Sequence, residues 1–162
     1  MRILVVDDDE ISVELITHAL TQAGHEVVAT RSGEKAASIL FSRSFRMVIT
    51  DWMMPGMNGL ELCRLIRSRS FRQYVFIIML TQRNDREDII EGLKAGADEF
   101  LQKPIDPIEL GLRVKIGERI LSAEFHQVAV FALAKLAESR DPETGLHLDR
   151  MMEYSKILAV TL

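Results

Sequence analysis

Several things are scarce in this chain of 162 residues, and each scarcity excludes something. Cysteine occurs once, as Cys63, so no internal disulfide can form and a reducing compartment is the expectation. No apolar run approaches the ~20 residues of a membrane span. The N-terminus passes from Met-Arg-Ile-Leu-Val-Val straight into three aspartates, which no secretory signal tolerates. Positive charge is not in excess: twenty Lys and Arg stand against twenty-four Asp and Glu, for a net charge of −4. That balance argues against a chain that coats nucleic acid or anionic membrane by bulk charge. Four prolines and nine glycines exclude a collagen-like or low-complexity chain, and 48% hydrophobic with 27% charged residues is ordinary for a globular protein. A soluble, cytoplasmic protein of one ordinary domain, or one domain plus an appendage, is expected.

What is present is an alternation. Ile3–Val6, Glu26–Thr30, Met47–Thr50, Val75–Met79 and Glu99–Leu101 are short, β-branched or aromatic runs that read as strands. The continuous apolar ones suit a sheet covered on both faces. Helical patterns lie between them. Ile11, Leu15, Ile16, Ala19 and Leu20 make one stripe, and Gly24 is placed to be its C-cap. Ser32 is placed to cap a second helix over 34–42, and Asn58-Gly59 opens a third carrying Leu62, Cys63 and Ile66. Asp85 is placed to cap a fourth with Ile89, Ile90 and Leu93, and Asp106-Pro107 opens a fifth. Strands alternating with helices imply βαβ units, hence a doubly wound α/β fold with a five-stranded parallel sheet over about residues 1–120.

The chain then changes character. From Ile108 to about Arg140 there is no proline, and Leu112, Ile116, Ile120, Leu121, Phe125, Val128, Ala132 and Leu136 recur near helical spacing. A helix over 106–140 exceeds what one sheet face covers, so it is expected to project and pair with a second copy, although Gly117 and Glu124 interrupt the heptads. Asp141-Pro142-Glu143-Thr144-Gly145 breaks it, and residues 146–162 read as a further amphipathic helix.

In a doubly wound sheet, functional groups gather at the C-terminal ends of the strands. Here Asp7, Asp8 and Asp9 follow the first strand, Asp51 the third, Thr81 the fourth and Lys103 the fifth. Carboxylates crowded to 4 Å repel by about 4 kcal/mol per pair at an effective dielectric near 20. Mg²⁺ is the natural relief, since it takes one or two carboxylates plus waters, a carbonyl and a phosphate. A hydroxyl and an ammonium on either side would hold phosphoryl oxygens, which is most of what phosphoryl transfer requires. For Asp9 the simpler reading is a helix cap.

These residues, as Leu4-Val-Val-Asp-Asp8, Val48-Ile-Thr-Asp-Trp-Met-Met-Pro-Gly-Met-Asn-Gly59, Met79-Leu-Thr81 and Gly96-Ala-Asp-Glu-Phe-Leu-Gln-Lys-Pro104, resemble the receiver domain of bacterial two-component response regulators, a flavodoxin-like fold. The resemblance covers about residues 1–120. It implies that Asp51 is the phosphoacceptor and a histidine kinase the donor. Mg²⁺ would be held by Asp7, Asp8, Asp51 and the Met53 backbone carbonyl. Thr81 resembles the switch hydroxyl, Phe100 the aromatic that follows it and Lys103 the phosphoryl-contacting lysine, with a cis bond before Pro104. Met53 offers no side chain to orient a hydrolytic water and Arg83 places a bulky cation at the mouth, which together imply a long-lived phosphoryl state.

Two other readings use the same residues. Asp7-Asp8-Asp9 after an apolar strand also resembles the nucleophile motif of haloacid dehalogenase-like phosphatases, with Asp7 as nucleophile and Asp9 as acid/base, but this leaves Asp51 unexplained. A pseudo-receiver that binds a partner without phosphorylation leaves Asp51, Thr81 and Lys103 unexplained.

The tail has its own resemblance. Phe131 to Arg150, with Asp141-Pro-Glu-Thr-Gly-Leu-His147, is similar to the opening of HD-GYP domains, metal-dependent phosphodiesterases of cyclic di-GMP. Glu143 and His147 match ligand positions in members with a fuller metal centre, and both suit Mn, Fe or Zn. The His-Asp pair and the Gly-Tyr-Pro loop are absent, so residues 141–162 read as the truncated start of an output domain without phosphodiesterase activity. The expectation is a regulatory module, not an enzyme, with no nucleic-acid or membrane contact of its own.

Overall fold

The computed structural model describes residues 1–69, 74–82 and 86–138. Five strands alternate with five helices: β1 (Arg2–Val6), α1 (Glu10–Gln22), β2 (Glu26–Thr30), α2 (Gly33–Ser42), β3 (Met47–Asp51), α3 (Gly59–Ser68), β4 (Phe76–Thr81), α4 (Arg86–Ala95), β5 (Glu99–Gln102) and α5 (Pro107–Glu138). All strands are parallel, in the order β2-β1-β3-β4-β5. The expected doubly wound α/β fold is therefore what forms. Strand order reverses between β1 and β3, and at that point the loops after the two strands part to opposite faces and leave a crevice.

The apolar strands work because successive side chains enter different cores. Leu4, Val6, Val48, Ile77 and Met79 join Ala36, Leu40, Leu62, Cys63 and Ile66 on the face covered by α2, α3 and α4. Ile3, Val5, Met47, Ile49, Phe76, Ile78 and Leu80 join Ile16, Leu20, Leu110, Val114 and Leu121 under α1 and α5. Cys63 lies fully buried, and burial pushes its thiol up to about 11, so it stays protonated at neutral pH.

Helix starts follow the caps read from the sequence. Ser32 Oγ accepts from Lys35 N–H, and Asn58 and Glu61 form a reciprocal capping box. Asp9 caps α1 through Ser12, whose hydroxyl and then backbone N–H hold the Asp9 carboxyl below its ordinary range.

Ile11 departs from expectation. It is 75% exposed while Ile16 and Leu20 are buried. At about 100° per residue, Ile11 stands roughly 140° around α1 from Ile16 and 180° from Leu20, so it turns away from the core that those two enter. At the other end of α1, Ala23 is the cap and Gly24 follows with a φ of +85°.

α5 runs for 32 residues. Met1–Leu121 is one compact unit and a second begins at Ser122. Among the described residues no helix is long and apolar enough to cross a membrane. Arg83, the Asp85 cap and the tail motif with Glu143 and His147 lie outside the described residues.

Candidate functional site

The crevice past the β1 and β3 ends is a cleft of about 400 Å³, lined by Asp8, Asp9, Asp51, Trp52, Met53, Thr81, Gln82 and Lys103. Each functional side chain is delivered by a strand end. Asp51 and Thr81 are the last residues of β3 and β4, and Asp51 sits in register with Leu80. Trp52 N–H donates to the Leu80 carbonyl at 2.9 Å and Lys103 N–H to the Thr81 carbonyl at 2.9 Å, so the ladder extends one step past each strand pair. The Lys103-Pro104 peptide is cis, as the resemblance implied.

Asp7 is fully buried and Asp51 is 7% exposed. Asp7, Asp8 and Asp51 each place a carboxylate oxygen within 4.8 Å of the others. Lys103 answers them: its Nζ is 2.7 Å from Asp7 Oδ2 and 2.9 Å from Asp51 Oδ2. The second Asp7 oxygen accepts from Asp9 N–H at 2.9 Å. Burial, and then the neighbouring Asp7 charge, raise the Asp51 carboxyl above its ordinary value even against the Lys103 attraction. For Lys103 burial pulls the other way, yet its bonds to Asp7 and Asp51 win and the ammonium is held above its ordinary value.

Three buried or half-buried carboxylates and one lysine leave the cluster net negative. All the donor atoms are hard oxygens, the chemistry Mg²⁺ selects, so the residues present fit that ion.

Phe100 is half-buried and packs against the core that holds Trp52. It lies over Gly92 in the middle of α4, where a Cβ would stand 2.6 Å from Phe100 Cζ and 3.0 Å from Trp52 Cζ3. Glycine here is a matter of space. Gly92→Ala gains about 1 kcal/mol of helix propensity but overpacks the ring at a cost of roughly 1–3 kcal/mol. A net loss of about 1 kcal/mol is expected in urea unfolding, together with a change in Trp52 emission as Phe100 is pushed outward. Unchanged stability and emission would count against this packing.

One contact had no counterpart in the sequence reading. Arg31 Nε donates to the Asp8 carbonyl at 3.1 Å and its guanidinium pairs with Glu10 at 3.4 Å. Arg31 directly follows β2, so the strand-end rule applied to all five strands would have included it. Trp52 and Gln82, next to Asp51 and Thr81, line the cleft for the same reason.

Fold and cleft together define a class, the doubly wound α/β domains whose switch-point crevice is built from carboxylates and a lysine. The family model for the response regulator receiver domain matches residues 3–115. Over 113 residues the chain is 36% identical to the phosphate regulon transcriptional regulatory protein PhoB of Pseudomonas aeruginosa, covering 70% of this chain and 49% of that protein. It is 40% identical over 114 residues to the DNA-binding response regulator MtrA of Mycobacterium tuberculosis, with the same coverage. A crystal structure of a putative response regulator from Chloroflexus aurantiacus superposes with a TM-score of 0.68 at 36% identity, over 72% of this chain and 95% of that one. The chain belongs to the response regulator receiver domain family, whose members are regulatory phosphoacceptors of two-component systems. It spans about half the length of the curated relatives it matches.

Proposed function

We propose that Asp51 accepts a phosphoryl group from a histidine kinase and that the domain switches an output module through α4, β5 and α5. The observation that carries this is the Lys103 ammonium bridging Asp7 and Asp51 beside Asp8. An Asp51 carboxylate oxygen attacks phosphorus, the donor's P–N bond (P–O in acetyl phosphate) breaks, and the leaving group departs with the bond's electron pair. Asp7, Asp8, Asp51 and the Met53 carbonyl would hold Mg²⁺, which when bound neutralises the carboxylates and the charge on the phosphoryl oxygens. Lys103 turns from Asp51 to one phosphoryl oxygen and Thr81 reaches another. Phe100 follows Thr81 inward, held by packing because its ring has no hydroxyl. Moving the resulting two-state equilibrium across most of its range takes about 5.5 kcal/mol of differential binding.

Residues 1–120 are the receiver and 106–140 the connecting helix. Exposed Val130 and Leu133 on that helix, both in the unit that begins at Ser122, supply apolar surface for a homodimer. The motif ending at His147 supports an HD-GYP output domain in a longer, cytoplasmic protein, with no enzyme activity in residues 1–162. The relatives named above are transcriptional or DNA-binding regulators, while this chain's net charge of −4 argues that it makes no nucleic-acid contact itself. With Met53 offering no group to position water, the aspartyl phosphate is long-lived. The phosphatase reading needs Asp9 as acid/base, but the Asp9 side chain is engaged by Ser12.

Acetyl phosphate with Mg²⁺, read on a phosphate-affinity gel, tests the proposal. A shifted band in the wild type that disappears in Asp51→Asn is expected, with decay over hours rather than seconds. Label surviving Asp51→Asn would move the nucleophile to Asp7. No label from either acetyl phosphate or a panel of phosphorylated kinases would leave a pseudo-receiver.

A further inference from the structure

We infer that Glu34, on the first turn of α2, is a positioning residue for the metal side of this cleft, because it fixes the loop that carries the Met53 carbonyl. The inference deepens the proposed function and rests on its Mg²⁺ site. The loop runs from Trp52 to Asn58. Its near end is held by Trp52 N–H on the Leu80 carbonyl and by buried Met54, and its far end by the Asn58 capping box. The span between them, Pro55 to Met57, is held from a different element.

Glu34 Oε1 accepts from Met57 N–H at 2.7 Å, and Oε2 accepts from Ser32 Oγ–H at 2.6 Å. Both carboxylate oxygens are thus used, and the plane of the group is set. The two backbones meet without side chains between them. Gly56 has a φ of +75°, and a Cβ there would stand 2.2 Å from Glu34 Oε1. A Cβ on Gly33 would stand 2.2 Å from the Met57 carbonyl oxygen. Capping alone does not explain this fit, since Ser32 already caps α2 and a solvated carboxylate would complement the helix dipole equally well. The Ser32 hydroxyl first, and then backbone N–H groups including that of Met57, hold the Glu34 carboxyl below its ordinary range.

The consequence lies in the metal's demands. Mg²⁺ requires near-ideal octahedral geometry, so a carbonyl ligand must be oriented closely. With Met57 released, the segment from Met53 to Met57 is tied only at its base, where Trp52 N–H bonds the Leu80 carbonyl and Gly59 N–H the Trp52 carbonyl, and by buried Met54, so the Met53 carbonyl is less closely aimed.

The full chain contains one tryptophan, Trp52, and it lines the cleft, so its emission reports Mg²⁺ directly. MgCl₂ is titrated into the wild type, Glu34→Ala, Glu34→Gln, Gly56→Ala and the Glu34→Ala/Gly56→Ala double variant, at a temperature where circular dichroism shows each folded. Glu34→Ala is expected to weaken Mg²⁺ binding about tenfold, the lower end of what losing an outer partner costs a metal site. Glu34→Gln, whose amide oxygen can accept from Met57 N–H, recovers most of that loss. Gly56→Ala weakens binding both by displacing the carboxylate and by straining a backbone at a φ of +75°, and the double variant loses less than the sum of the two because the Glu34 contact is shared. Wild-type affinity in Glu34→Ala overturns the inference, as does a Gln variant as weak as Ala or strict additivity in the double variant. Absence of any saturable Mg²⁺ response in the wild type would instead overturn the metal site itself.

Discussion

Asp51→Asn is expected to melt higher than the wild type in the absence of Mg²⁺ while losing phosphoryl capture entirely. The substitution keeps the shape of a buried side chain and removes one charge from a cluster of three carboxylates. Lys103 then keeps Asp7, at 2.7 Å, as its partner. The gain follows from the raised Asp51 carboxyl: the folded site binds a proton more tightly than the unfolded chain, so the ionised side chain is a net cost at neutral pH. Relief of about 1 kcal/mol corresponds to roughly 4 °C in a unit of this size. The sign of the pH dependence is fixed as well. Stability associated with Asp51 is fully present where it is protonated and is lost as pH rises through the unfolded and then the folded value. The margin of Asp51→Asn over wild type should therefore shrink towards zero as pH falls. Scanning calorimetry in EDTA from pH 8 to pH 4 reads it directly, and a variant that melts below wild type at pH 8 would refute the argument.

Lys103→Met should have the opposite effect and a larger one. The lysine side chain is only 11% exposed and stands between two carboxylates, one of them fully buried. Methionine preserves the apolar stem but leaves Asp7 and Asp51 facing each other without a cation. Removing one partner of a buried ion pair typically costs about 3–5 kcal/mol. The Lys103 ammonium is held above its ordinary value by those bonds, so its contribution is present throughout the neutral range and is lost only as pH rises through the folded value. In the variant, lowering the pH should restore stability by protonating Asp51, whose carboxyl is already held above its ordinary value, and millimolar Mg²⁺ should restore it at pH 7 by replacing the missing charge. Urea unfolding at pH 7 and pH 5, with EDTA or with MgCl₂, separates the terms. A midpoint at pH 7 within error of wild type would show that the carboxylates are relieved by something other than Lys103.

The sequence by itself determined what depends on local pattern. Runs such as Ile3–Val6 and Met47–Thr50 are too short for a helix and rich in β-branched residues, which together favour a strand, and their apolar continuity calls for cover on both faces. Asp9, Ser32 and Asn58 cap helices with bonds that close within three residues, so position in the chain suffices. Parallel strands joined by helices put every strand's C-terminal end on the same edge, so aspartates, a threonine and a lysine at those ends had to meet there.

Tertiary structure decided the rest. Ile11 shares a stripe with Leu15 and Ala19, but the core takes the Ile16 and Leu20 side of α1, and which side is buried follows from how the helix docks on the sheet. Gly92 reads as a weak point in a helix until the rings of Phe100 and Trp52 are seen against it. Glu34 reads as a first-turn acid, yet its carboxylate is used by a loop on another element. These features share a physical cause. A cap or a strand is an interaction of near neighbours, whereas a close approach between a helix and a distant loop depends on how separately formed elements are packed together.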